Sequence, residues 1–226
     1  MVLCEALAVP LGSRNELLLA AGFAPVYRAR AIDSSELAPF RRELEALLER
    51  HDPFPALIVD DAWTLVHANP AALRFFSWLR RGAPLQGNNV VQWCFDDDGL
   101  KPYMLDWPLA ARHLYWRLQR EVLADPDNQR LVALLASLQN KLPTESISGL
   151  LDGLRLAPPI MTSAFRRLPD SGSLESPGRC DPEMRFFSLL STIGTAQDVT
   201  LTGLHLETFV PADADTRAQL YRLASP

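Results

Sequence analysis

PALIVDDAWTLVHANPAALRFF, residues 55–76, decides the fold. Ala56–Val59 is a short apolar run ending in the β-branched pair Ile58–Val59, Asp60–Asp61 supplies turn chemistry, and Trp63–Ala68 leads the chain back. Two antiparallel strands joined by a tight turn are therefore expected. Asn69 followed by Pro70 then reads as N-cap and first residue of a helix reaching Trp78 or Leu79. The Asn side chain can accept from an orphan helical N–H, and Pro forfeits a donor the first turn does not need.

Upstream of this hairpin the chain reads as helical. Residues 2–8 form a short helix stopped at Pro10, and Ser13 opens a second with Glu16 completing a capping box and Gly22 ending it. After the linker FAPVYRARAID, Ser34 or Ser35 caps a third helix running to about Arg50. Leu37, Phe40, Leu44, Leu47 and Leu48 recur on one face of it at helical spacing.

Downstream, Arg80–Asn88 is a loop and Val90–Phe95 a short helix ended by Asp96-Asp97-Asp98-Gly99. Asp106 caps a long helix to about Leu123, with Pro108 tolerable in its first turn, and Gln129–Asn140 forms the next. Thr144–Leu154 is a weaker helical segment. Leu156–Arg167 is an irregular strand, and Pro169–Pro182 is a Gly-, Ser- and Pro-rich excursion. Arg185–Thr195 and Val199–Val210, joined at Ala196–Asp198, pair as a hairpin, and Asp213 or Asp215 caps a last helix to Leu223. Early and late strands that meet across a helical insertion make an α+β domain: an antiparallel sheet with helices on one face, preceded by a short helical segment.

The 226 residues are nearly half apolar and suffice for one or two globular domains. Cys4, Cys94 and Cys180 are far apart, with no C-x-x-C pair, which fits reduced thiols rather than a disulfide framework. Apolar runs are too short to span a bilayer, and Glu5, Pro10 and Arg14 spoil a signal peptide, so a cytoplasmic location is expected. A net charge of −5 speaks against a nucleic-acid-binding surface, because duplex affinity rests on Lys and Arg neutralising phosphates.

Two stretches carry a family resemblance. Residues 55–76 resemble the opening of a PAS domain, in which an Asp turn joins two strands and an Asn starts the next helix. RFFSLLSTIGTAQDVTLTGLHLETFVPADADT (185–216), with DDGLKPYMLDW (97–107), resembles the C-terminal domain of bacterial MmyB-like transcription regulators. The resemblance implies a PAS-like domain that takes an apolar small molecule such as a fatty acid. It also implies an N-terminal helix-turn-helix of the xenobiotic-response-element (XRE) type. MVLCEALAVPLGSRNELLLAAGFAP resembles only the segment that closes such a helix-turn-helix, and the recognition helix has no counterpart. Residues 1–30 are accordingly expected to be a remnant and linker, and residues 31–226 the ligand-binding domain. DNA would be a partner only through the missing helix-turn-helix.

Other chemistries are poorly supplied. Three consecutive carboxylates at 96–98 lack the alternating spacing of a calcium loop. His51, His67, His113 and His205 form no zinc pattern; His67 and His205, both on expected strands, could share the sheet as a proton switch. No nucleophile elbow or phosphate loop is present. Neither metal nor cofactor is expected, and no catalytic residue is assigned.

The expected site is an apolar pocket between the sheet and the central helices. Its wall is drawn from predicted inward faces: Leu57, Val59 and Val66 from the first hairpin, Phe76 and Leu79 from the helix after it, then Trp93, Leu109 and Leu189. Arg112, with Arg117 as a second cation on the same helix, is placed to meet a carboxylate headgroup. The expected function is effector sensing without chemistry on the effector, with no membrane contact and with homodimerisation through the Leu37, Leu44, Leu47 and Leu48 stripe or packing of that stripe on the sheet. A hydrolase-like enzyme on the same scaffold and a structural dimerisation module are the alternatives.

Overall fold

A computed structural model describes residues 2–7, 9–28, 30–143, 162–168, 182–193 and 198–225. The expected helix at 144–154, the excursion at 169–181, Cys180 and the join at 196–197 lie outside the described residues. Helices α1 (Val2–Ala6), α2 (Leu11–Ala20) and α3 (Ala38–Glu49) come first, followed by strands β1 (Ala56–Val59) and β2 (Leu65–Ala68). Then come α4 (Pro70–Leu79), α5 (Val90–Phe95), α6 (Trp107–Ala124) and α7 (Gln129–Leu138), which are followed by β3 (Thr162–Arg166) and β4 (Glu183–Thr192). A short α8 (Val199–Thr202), β5 (His205–Pro211) and α9 (Ala214–Ala224) close the domain.

All five strands join one antiparallel sheet in the order β2-β1-β5-β4-β3. The early hairpin thus lies beside the last strand, as the α+β, PAS-like reading requires. Because side chains alternate across a strand, the sheet has two different faces. Leu57 and Val59 of β1, with Met184 and Phe186 of β4, belong to the main core beneath α4–α7. Ala56 and Ile58, with Leu206 of β5, turn to the other side, where Leu48, Leu44 and Phe40 of α3 cover them. Phe40, Leu44 and Leu48 of the expected stripe therefore pack on the sheet of the same chain, while Leu47 is 50% exposed.

Asn69 holds the entry to this architecture together. Its fully buried Oδ1 accepts from Ala56 N at 3.0 Å and Ala72 N at 2.9 Å. Its Nδ2 donates to Leu48 O at 3.2 Å and Phe54 O at 2.9 Å. One amide thereby caps α4, ties it to β1 and fixes the end of α3, leaving none of its hydrogen-bonding capacity unmet inside the core.

Several local expectations are corrected. Helix α2 starts at Leu11 after an extended Pro10, so Ser13 and Glu16 lie inside it and no side chain caps it. Its end is as expected: Gly22 has φ +81°, and Phe23 N donates to Leu18 O while Gly22 N donates to Leu19 O, a Schellman closure. Helix α3 begins at Ala38, not after Ser34 or Ser35, because Pro39 fits only a first helical turn. Val199–Thr202 is helical rather than strand, since the Asp198 side chain accepts from Thr200 N and caps a turn there. The same Asp198 receives Arg30 Nη1 at 2.6 Å, and Val199 N donates to Arg28 O at 2.8 Å, so the stretch expected to be a linker is pinned to α8.

Candidate functional site

Between the sheet and helices α4–α6 lies a cavity of about 850 Å³, within the range that holds a small organic ligand. Helix α4 contributes Phe75 and Phe76, and α5 contributes Val90, Val91 and Cys94. Asn89 positions α5: its Oδ1 accepts from Gln92 N at 3.0 Å, and its Nδ2 donates to Ala62 O at 2.7 Å. Gly99 is required where the chain leaves α5, because a Cβ there would stand 2.2 Å from the Trp93 carbonyl oxygen. Helix α6 supplies Ala110, His113, Leu114 and Arg117, and the sheet supplies Ser163, Phe165, Ser188, Glu207 and Phe209.

The wall is mainly aromatic and aliphatic. Phe75 meets Phe186 edge-on at 5.2 Å and Phe165 at 5.5 Å, and Phe186 meets Phe209 at 6.1 Å. Such edge-to-face packing is the favoured geometry of ring quadrupoles. Burial, with a smaller contribution from nearby Glu207, pushes the Cys94 thiol up to about 12, which disfavours the thiolate.

A polar group stands at one end. Trp63, at the β1–β2 turn, holds a left-handed backbone with φ 63°, uncommon for a bulky residue. The turn that imposes it is built on Asp60 Oδ1, which accepts from Ala62 N and Thr64 N, both at 2.9 Å. The Trp63 indole N–H donates to Glu121 at 2.8 Å, the Arg117 guanidinium lies 4.1 Å from the ring centroid, and His205 stacks nearby. Arg117 Nε pairs with Glu121 at 3.1 Å, leaving its buried Nη2 without a hydrogen-bond partner among the described residues. Burial lowers the pKa values of His113 and His205. Burial raises that of Glu207, against the opposing influence of Arg117 and nearby Ser188.

Of the residues expected to line the pocket, Phe76 does so. Leu57, Val59, Leu79 and Trp93 sit in the packed core around it without facing the open space. Trp93 instead braces Phe76 edge-on at 5.9 Å and donates its indole N–H to Gln86 O. Arg112 lies on α6 beside His113, outside the lining. Leu109 is 40% exposed near the start of α6. Val66 is on the other face of the sheet, against α3. The register explains it: Ile58 pairs with His67 but Val59 pairs with Leu65, so Val66 is the extra residue of a bulge. Leu189 is also turned away, 53% exposed, because its neighbour Ser188 occupies the cavity side opposite Phe209. Glu207, Ser188 and Trp63 were not anticipated. The signal was available for Glu207: an acid at the central inward position of the alternating strand HLETFVP.

The acidic turn has ordinary partners: Lys101 pairs with Asp97 at 2.8 Å and Lys141 with Asp96. Among the described residues no cluster of His, Cys, Asp and Glu could hold a metal ion. No described helix is long and apolar enough to cross a membrane.

Residues 40–146 match the family described as MmyB-like transcription regulator ligand binding domain. The match runs from α3 through α7, so it supplies the helical wall and the first hairpin. Solved structures with some similarity include the LOV protein of Rhodobacter sphaeroides, at 12% identity and a TM-score of 0.32, covering 79% of this chain and 69% of that one. The RsLOV d2 variant gives 11% identity and a TM-score of 0.32 over 83% and 82% of the two chains. These likenesses are too slight to bear on function. No curated protein matches the chain.

Proposed function

We propose that residues 31–226, of which 40–146 match the family described as MmyB-like transcription regulator ligand binding domain, form the effector-sensing domain of a bacterial transcription regulator. The single observation that carries the reading is the apolar cavity of about 850 Å³ between sheet and helices. An amphipathic, fatty-acid-like molecule enters it and shifts the population between two domain arrangements. DNA contact belongs to a helix-turn-helix of the XRE type, not to the acidic sheet domain. The protein works in the cytoplasm, and pairing of copies matches the two-fold symmetry of the operators such regulators read.

Thiol catalysis is disfavoured by the burial of Cys94, the cysteine among the described residues that line the cavity. With Cys94 pushed up to about 12, a thiolate nucleophile is scarcely populated near neutrality. Binding alone is energetically sufficient. Thirteen methylene and methyl groups contribute about 10 kcal/mol at ~0.8 kcal/mol each. An association cost of about 4 kcal/mol at the least leaves roughly 6 kcal/mol, an affinity of tens of micromolar.

Native mass spectrometry and calorimetric titration with saturated acids of ten to eighteen carbons test the proposal. A one-to-one complex is expected. Leu114→Trp, which fills the cavity from α6, is expected to weaken it at least tenfold while leaving the circular dichroism spectrum intact. Failure of every such amphiphile to bind refutes the sensing role.

A further inference from the structure

Among the described residues that line the cavity, Glu207 is the one acidic side chain, and it is poorly matched to a plain hydrocarbon. It sits mid-strand on β5, paired across to Leu57 on one side and Leu190 on the other, and is only 8% exposed. Its nearest cation in electrostatic effect, Arg117, makes its ion pair with Glu121 instead. Ser188, opposite Phe209 on β4, faces the same cavity one diagonal step from Glu207, whose partner across β4 is Leu190. A buried carboxyl without an ion pair is tolerated when neutral, and then it offers both an O–H donor and a carbonyl acceptor.

We propose that Glu207 and Ser188 form a subsite reading a neutral oxygen function, a hydroxyl or carbonyl, carried on the apolar skeleton of the effector. This deepens the sensing role above and rests on it. The remaining polar groups divide the labour. Gln119 and Arg120 are exposed on α6 and mark the solvent side of the cavity, where a carboxylate headgroup keeps its water. A ligand carboxylate is disfavoured beside Glu207, where burial and a second acid both oppose it. An unsubstituted chain leaves the Glu207–Ser188 pair facing methylenes, and a site built to hydrogen-bond an oxygen discriminates against the analogue lacking it.

Calorimetric competition of the whole chain with tetradecanoic acid, its 3-, 8- and 14-hydroxy derivatives and tetradecylamine tests the assignment. At least one hydroxy acid is expected to bind about tenfold more tightly than tetradecanoic acid. Glu207→Leu is expected to abolish that preference while still binding tetradecanoic acid, Ser188→Ala to reduce it, and Glu207→Gln to restore part of it through its amide. Leu189→Ser, on the opposite face, serves as the control for a general effect on the sheet. The assignment is overturned if wild type shows no preference, if Glu207→Leu retains it, or if tetradecylamine binds best. Binding of tetradecanoic acid without discrimination removes this subsite alone, whereas no binding by any of the compounds removes the sensing role and the subsite with it.

Discussion

The two faces of the sheet use the same strands for opposite ends. On the face toward α3, Ala56, Ile58 and Leu206 pack directly against Leu48, Leu44 and Phe40. On the other, alternate residues of the same strands support a far larger core that nevertheless leaves about 850 Å³ open. The small face is packed and apolar where α3 covers it; the large face is hollow and contains an acid. Close packing is the default of protein interiors, yet here Phe75, Phe165 and Phe209 line open space while making ring contacts at its wall. The lesson is a division of labour: the filled face supplies stability without ligand chemistry, and the hollow face gives up packing to gain it.

Truncations on each face test that division most severely. Phe186→Ala removes a ring contacting Phe75, Phe165 and Phe209 and is expected to cost about 3–5 kcal/mol by denaturant unfolding. Leu48→Ala is expected to cost about 2–4 kcal/mol yet leave affinity for tetradecanoic acid within twofold. A Leu48→Ala loss of affinity as large as that of Leu114→Trp would erase the distinction between the faces.

A smaller, pH-dependent effect is expected at Glu207. Its folded pKa is raised by burial, so its favourable contribution is complete below the unfolded value near 4.5 and is lost as pH rises through the folded pKa. Glu207→Gln should therefore stabilise the chain by about 1–2 kcal/mol at pH 8, with the gain shrinking to nothing near pH 4 in paired thermal melts. The opposite slope would mean that the carboxyl is stabilised as an anion. Least of all, Leu189→Ser on the exposed part of the far face should change stability by less than about 0.5 kcal/mol.

Local chemistry was legible where one residue has one plausible use. Asn69-Pro70 announced the start of α4 and Gly22 the end of α2, and of the two candidates Asp213 and Asp215 the first caps α9, because caps and left-handed closures are decided within a few residues. Pairing of early with late strands also followed from the order of apolar segments. The pocket wall was much less readable, because it depends on strand parity. One inserted residue in β2 carried Val66 to the α3 side, and a one-residue difference separates Ser188 from Leu189. Hydrophobicity likewise selects buried residues without telling those that face space from those that face each other. Leu57, Val59, Leu79 and Trp93 are core for the same reason they looked like wall.

Asn69 has a kinetic corollary. The amide protons of Ala56 and Ala72, on a strand and a helix, share a single acceptor oxygen, while the amide nitrogen of the same side chain grips the chain at Leu48 and Phe54. None of these elements can loosen fully without releasing that side chain. Hydrogen exchange at the two amides is consequently gated by a common opening, and the end of α3, the first strand and the start of α4 behave as one cooperative unit although they are three separate elements.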